Sequence, residues 1–323
     1  MKKLTALFIA LILLFSLSSC SSQRKVISVG NAEISEELFT YFLTQAKAEN
    51  PSLTTNEKLR EAGYKKATEY VTVNTKFMQS KLSLSVLQKE AIASDVENLW
   101  HTFNEYYKSL GISRTTLTKV RTSEEYRNTL LTSLYAEGGK EEILQKKIKE
   151  YFYSEYIAFQ AITGYLTQTD ENGNLVKLDE NEIKKLKNEF SQMAKQIADG
   201  LDINYVKESY LKAHGYEPSE AEITVYKKGG AFFPKNFFDS ASKLKYNKPG
   251  VISSDSHIFL VVLKDMSKDE ESYYNKYKDI CLKELANENF NKKVSFWTKD
   301  FEIKTSDNLA DKCCKIILNT ERK

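Results

Sequence analysis

An almost unbroken apolar run opens the chain, from Leu4 to Leu17, interrupted only by Thr5 and Ser16. Beyond it the pattern becomes periodic. Val26-Ile27-Ser28-Val29 reads as a short strand, and Gly30-Asn31 turns it toward Ile34. Ser35 is placed to cap a helix whose Leu38, Phe39, Phe42, Leu43 and Ala46 share one face. Pro51 closes this first piece, and the next proline is Pro218, so the long stretch between them is free to be helical. Within it, Ser85 and Gln88 form a capping-box pair, followed by Ile92, Val96, Leu99 and Phe103 at helical spacing up to Gly111. Two further pieces are predicted, over 113–120 and around Tyr126, Leu130 and Leu134. Gly138-Gly139 stops them, and a helix follows through Ile148 and Phe152.

The period changes after Tyr156. Residues 157–167 are rich in apolar and β-forming side chains, and Asn172-Gly173 is a turn dipeptide, which predicts a strand leading into a loop. Asp179 with Glu182 starts a helix that keeps Ile183, Leu186, Phe190, Met193 and Ile197 on one face until Gly200. A second helix is expected over 206–213. A strand at 223–226, a Gly229-Gly230 turn, an aromatic helix over 232–238 and a strand at 258–263 complete a strand-helix-helix-strand-helix-strand order. That order is a small α+β unit. A charged helical segment from about 266 to 293 and a mixed tail end the chain. The fold class expected is α+β: a mainly α-helical lobe made of the N- and C-terminal segments, with an α+β domain inserted.

Composition narrows the chemistry. The chain has 47 basic and 44 acidic residues; removing Lys2 and Lys3 leaves 45 against 44, a formal charge of +1. Nothing in that balance asks for nucleic acid. Three single histidines, His101, His214 and His257, supply no metal motif, and no phosphate loop, dinucleotide fingerprint or nucleophile elbow is present, so neither a metal nor a cofactor is expected. Cys281 and the adjacent pair Cys313-Cys314 do not make a disulfide framework.

Lys2-Lys3, the apolar run and Leu17-Ser18-Ser19-Cys20 together form a signal peptide ending at a bacterial lipobox. The run is shorter than the ~20 residues a membrane-spanning helix needs. Residues 1–19 are therefore expected to be cleaved and Cys20 lipidated. That places the mature chain at the cell membrane, lipid-anchored on its extracytoplasmic face, with Ser21 to Arg24 as a polar leash.

Three stretches carry a resemblance: VISVGNAEISEELFTYFL, TDENGNLVKLDENEIKKLKNEFSQMAKQIADGLDI, and KKGGAFFPKNFFDSASKLKYNKPGVIS with the strand HIFLVVLKD. In their order behind a lipobox they resemble the parvulin-type foldase lipoproteins of Gram-positive bacteria, the PrsA-like group related to the periplasmic chaperone SurA. The resemblance covers nearly the whole mature chain. It implies a chaperone lobe over 20–154, a parvulin-like domain over 155–265, and a C-terminal segment, 266–323, returning to the lobe. It also implies unfolded or newly secreted polypeptides as partners; the oligomeric state stays open.

In that family the parvulin domain isomerises prolyl peptide bonds with a pair of core histidines, a nearby acid or cysteine, and a Met/Phe pocket for the proline ring. This chain departs from the pattern. The first parvulin strand has no histidine; Ala161 or Thr163 stands there, depending on register. His257, the one weak catalytic candidate, falls near the second histidine, although Phe259 also aligns with it. Phe233 and Phe237 match the pocket positions, with Phe232 and Phe238 as the alternative one residue away. The resemblance thus implies a folding factor with weak or absent isomerase activity, Phe233, Phe237 and Phe259 forming the substrate-binding face. Two rivals remain: an active isomerase with a changed residue set, and a non-enzymatic envelope lipoprotein that binds one defined partner.

Overall fold

The structure, a computed structural model, describes residues 24–320. The expected signal peptide, residues 1–19, and the expected lipidation site Cys20 lie outside the described residues. The chain divides into two units: one runs to Glu141 and resumes at Ala286, and the other is Glu142–Leu285.

The first unit begins with the hairpin β1 (Lys25–Val29) and β2 (Ala32–Ser35), turned at Gly30 with φ +56°. Four helices follow: α1 (Glu36–Glu49), α2 (Asn56–Gln79), α3 (Val86–Ser109) and α4 (Arg114–Tyr135). Each starts at a hydroxyl residue, Ser35, Thr55, Ser85 or Ser113, whose side chain accepts a hydrogen bond from a first-turn backbone N–H; at Ser85 the reciprocal bond from Gln88 completes a capping box. The predicted pieces at 113–120 and 126–134 are one helix, because no glycine or proline separates them and Arg121 pairs with Glu124 across the join.

Two elements come from the far end of the chain. Strand β9 (Ile303–Thr305) pairs antiparallel with β1, giving the sheet order β2-β1-β9. Helix α10 (Asp307–Thr320) buries Ala310, Cys313, Cys314 and Ile317 and packs on α1 and α2. The expected mixed tail is thus an amphipathic helix. Its two cysteines behave as small apolar residues at helical spacing, a role that hides when they are read as redox chemistry.

Helix α3 departs from the predicted buried stripe. Ile92 and Val96 are buried, but the backbone kinks at Phe103 (φ −125°, ψ 17°), and Phe103 is 48% exposed. Tyr106, Val86 and Leu87 on the same helix are exposed as well.

The second unit opens with α5 (Gln145–Glu155), which runs directly into β3 (Tyr156–Tyr165). A hairpin of β4 (Thr167–Thr169) and β5 (Leu175–Lys177) follows, with Gly173 at φ +82° in its turn. Then come α6 (Glu180–Ala198), with the expected Asp179/Glu182 capping box, α7 (Ile203–Ala213), β6 (Thr224–Lys227), the short α8 (Phe237–Ala241), β7 (Pro249–Ser253) and β8 (His257–Lys264). The sheet is antiparallel throughout, in the order β6-β3-β8-β7. Strand β7 is absent from the predicted order because it opens on Pro-Gly and buries only Ile252, so it shows no alternation.

Both faces of this sheet are covered, which is why β8 reads as a continuous apolar run. Ile162, Ile258, Leu260 and Val262 pack against Leu186, Phe190 and Met193 of α6 and Val206 and Tyr210 of α7. Ile157, Phe159, Phe259, Val261 and Leu263 point the other way, to α8.

The unit also takes in α5 and the residues after β8 as far as Leu285. Phe152 of α5 stacks on Tyr156 at 5.2 Å and meets Tyr274 at 5.9 Å, at the start of α9 (Tyr274–Trp297). Glu284 of α9 accepts from the Tyr156 hydroxyl (3.2 Å) and pairs with Lys227 (2.5 Å). These contacts tie α5 and the front of α9 to the β6-β3 side of the sheet.

Candidate functional site: an aromatic face with a single histidine

The α8 face of the sheet gathers the residues singled out in the sequence. Two-residue alternation puts Ala161, Thr163 and Tyr165 of β3 on the same side as Phe259 and His257 of β8. The register sets Ala161 opposite Val261, Thr163 opposite Phe259, and Tyr165 opposite His257. Neither alignment of the first-strand position therefore brings a second imidazole to His257.

Phe233 lies in the loop before α8 and Phe237 on its first turn. Their rings stack at 4.3 Å, with Phe259 5.7 Å from Phe233 and 5.0 Å from Phe237. Phe237 and Phe259 are buried, whereas Phe233 is half-buried and keeps an accessible edge. The alternative pair does not occupy this position: Phe232 is 95% exposed, and the buried Phe238 lies beside Lys228.

Two aromatic residues went unmarked in the sequence reading. Phe159 sits 5.1 Å from Phe237, and Tyr226 of β6 sits 4.9 Å from Phe233. The alternation of Ile157 and Phe159 along β3 was the available signal for the first; the second depends on which strand lies beside β3. Tyr226 donates its hydroxyl proton to the Gly230 carbonyl, and a Cβ at Gly230 would stand 2.6 Å from the Tyr226 ring. That close approach requires glycine and ties the Gly229-Gly230 turn to the aromatic cluster.

His257 stacks on Phe259, with ring centroids 5.6 Å apart and planes 11° apart, and Tyr165 flanks it at 5.2 Å. Its Nδ1 shares a hydrogen bond with Ser256 Oγ (2.7 Å), and its backbone N–H donates to Ser254 Oγ (3.0 Å). The imidazole is thus held by Ser256, and the His257 backbone by Ser254, both of its own turn. The described cysteines lie elsewhere, Cys281 on α9 and Cys313 and Cys314 on α10. His214, at the end of α7, bonds Glu189 at 3.0 Å and packs on Tyr210, which accounts for it as a helix-end residue on the α6–α7 side. Among the described residues, no group of three or more His, Cys, Asp or Glu is arranged to hold a metal.

Chemically, this face offers an apolar aromatic wall with one imidazole at its edge. It suits binding of an apolar ring: its one imidazole is hydrogen-bonded to a serine and flanked by Tyr165, with no second imidazole beside it.

The chain is therefore an α+β protein with a mainly helical unit and a four-stranded α+β unit carrying an aromatic sheet face. No family model and no curated protein sequence matches it. It is similar to the solved structure of the foldase protein PrsA from Lactococcus lactis, at 13% identity and a TM-score of 0.41, over 90% of this chain and 97% of that one. PrsA from Streptococcus pneumoniae gives 16% identity and a TM-score of 0.41 over 85% and 92% of the two chains. A SurA-like chaperone from Campylobacter jejuni gives 11% identity and a TM-score of 0.29 over 87% and 99%.

Proposed function

We propose that this chain is an exported folding factor, held on the extracytoplasmic face of the cell membrane by a lipid on Cys20, that binds newly exported unfolded polypeptides and has weak or absent prolyl isomerase activity. The observation that carries the reading is helix α3. It is 24 residues long yet buries only Ile92 and Val96, and it leaves Val86, Leu87, Phe103 and Tyr106 between 46% and 76% exposed. A helix usually hides its apolar side chains; one that presents them offers non-directional affinity to chains of differing sequence. Among the aromatics of this unit Phe39, Phe42 and Phe77 are core, so the exposed side chains on α3 are the part offered to clients.

The aromatic sheet face adds a place for an apolar or prolyl side chain without fast catalysis. The barrier to prolyl rotation falls when a site binds the twisted amide more tightly than either planar form. With Ala161 and Thr163 opposite Val261 and Phe259, β3 brings a hydroxyl and no imidazole to this face, which supports slow isomerisation.

The test is light scattering of a refolding model client, with prolyl-tetrapeptide exchange measured in parallel. The chain should slow aggregation, and replacing Phe103 and Tyr106 together by serine should remove about half of that protection. Isomerisation should be accelerated far less than by an intact parvulin. Fast turnover abolished by changing His257 would support the active-isomerase reading instead. Absence of any protection would favour a lipoprotein with one defined partner.

A further inference from the structure

The sheet that carries the aromatic face has a second concavity beside it, where β8 ends. Strand β8 starts at His257 and ends at Lys264, a run of about 23 Å. Beyond that end, between α5, α8 and the loop after β8, lies a cavity of about 400 Å³. Its apolar lining comes from Ile157, Phe238, Leu263 and Met266, all buried. Such a volume suits a side chain with its adjoining backbone.

Two polar groups of the lining are open to a ligand: the exposed Lys228 ammonium and the buried Tyr153 hydroxyl. Lys227 and Lys228 follow one another out of β6, so their side chains diverge. Lys227 pairs with Glu284, whereas Lys228 has no carboxylate of the described residues within ion-pair distance, and its ammonium stands 5.9 Å from the Phe238 ring centroid. The hydroxyl of Tyr153 is buried and has no hydrogen-bond partner. A buried donor without an acceptor is uncommon in folded proteins. The charged lining residues are Lys228, Lys264 and one acid, Asp239, so the balance is cationic.

We infer that this cavity is a second client subsite, one that takes a peptide segment in which an apolar side chain stands beside a carboxylate. The apolar group fills the space against Phe238, Leu263 and Met266, and the carboxylate meets Lys228. The Tyr153 hydroxyl donates to a carbonyl or carboxylate oxygen of the segment. The assignment rests on the client-binding reading and gives it a sequence preference that area alone does not supply. An extended segment of about seven residues would reach from this cavity past the aromatic face to His257 at the start of β8.

The experiment uses the full chain and two dye-labelled peptides, identical except that one has Phe-Glu and the other Phe-Gln at its centre, in otherwise neutral flanks. Binding is read by fluorescence anisotropy at low and high salt. The Phe-Glu peptide should bind about three- to fivefold more tightly than its twin at low salt, the range expected of a partly exposed ion pair, and the gap should narrow as salt rises. Lys228→Gln should erase the gap while leaving binding of the Phe-Gln peptide unchanged, and Tyr153→Phe should weaken both peptides. Circular dichroism confirms that each variant is folded. Equal binding of the twins, no binding of either, or a gap that survives Lys228→Gln would overturn the assignment. Displacement by phosphatidylglycerol vesicles but not by excess unlabelled Phe-Glu peptide would also overturn it, in favour of a lipid headgroup. Aggregation of a model client is followed on the same samples. Protection that persists with equal binding of the twins removes the subsite and leaves the folding-factor reading standing; loss of both removes both.

Discussion

Replacing Phe237 by alanine removes a ring that is wholly buried and stands 4.3 Å from Phe233, 5.0 Å from Phe259, 5.1 Å from Phe159 and 6.1 Å from Tyr226. Truncation of a core phenylalanine costs about 3–5 kcal/mol through lost transfer energy and the cavity left behind. Four neighbouring rings put this site near the top of that range, because each favourable aromatic pair adds about 0.5–1.5 kcal/mol. Domains of this size are stable by only about 5–15 kcal/mol, so the variant should be close to its limit. Its melting temperature should fall by about 10–15 °C, at roughly 2–4 °C per kcal/mol. Phe233→Ala is the internal control. Its ring is half-buried, so the same truncation should cost only about 1–2 kcal/mol while removing the accessible edge of the aromatic face. The two variants therefore separate fold from site: Phe237→Ala destabilises, and Phe233→Ala weakens binding of apolar peptides in a chain that remains folded. Urea denaturation monitored by far-ultraviolet circular dichroism, with calorimetry, measures both costs. A loss below about 1 kcal/mol at Phe237, or equal losses at the two positions, would refute the assignment of one ring to the core and the other to the surface.

Gly164→Ala should destabilise the second unit by about 1–2 kcal/mol in denaturant titration, since overpacking outweighs the smaller gain from a stiffer backbone. The new Cβ would lie 2.8 Å from two atoms of the Phe190 ring and 2.9 Å from Ile258, and Phe190 is itself held by Tyr210; unchanged or higher stability would contradict this. Burial raises the Cys281 thiol to about 11 and the Cys314 thiol to about 12, and moves Cys313 in the same direction. Little thiolate is then present at pH 8, so in a Cys20→Ala variant a disulfide reagent should find no fast-reacting thiol in the native state and three after unfolding; rapid native reaction would exclude the packing described. The same Cys20→Ala variant should leave the membrane fraction when cells are separated, and retention with unchanged lipid labelling would remove the proposed anchor.

The sequence by itself determined the elements whose causes are local. The capping boxes at Ser85/Gln88 and Asp179/Glu182, the apolar face of α1, the Gly30 and Gly173 turns and the continuous apolar run of β8 each arise from residues a few positions apart. The aromatic density around α8 was legible for the same reason, down to two candidate pairs of phenylalanines. Choosing between those pairs needed the tertiary structure. Phe232 and Phe233 have nearly the same local context, and only the position of the sheet decides which one is covered. That β3 carries no histidine was plain in the sequence, whereas the placing of Tyr165 opposite His257 needed the β3–β8 register, which pairs residues 92 positions apart there. Strand β9 and helix α10 were missed because their partners, β1, α1 and α2, lie at the other end of the chain; three exposed residues and two cysteines acquire meaning only against that surface. Helix α3 shows the opposite limit. Its spacing announced an apolar stripe, but periodicity records which residues share a face and not whether anything covers it, and here Leu99 is only half-buried and Phe103 is left bare.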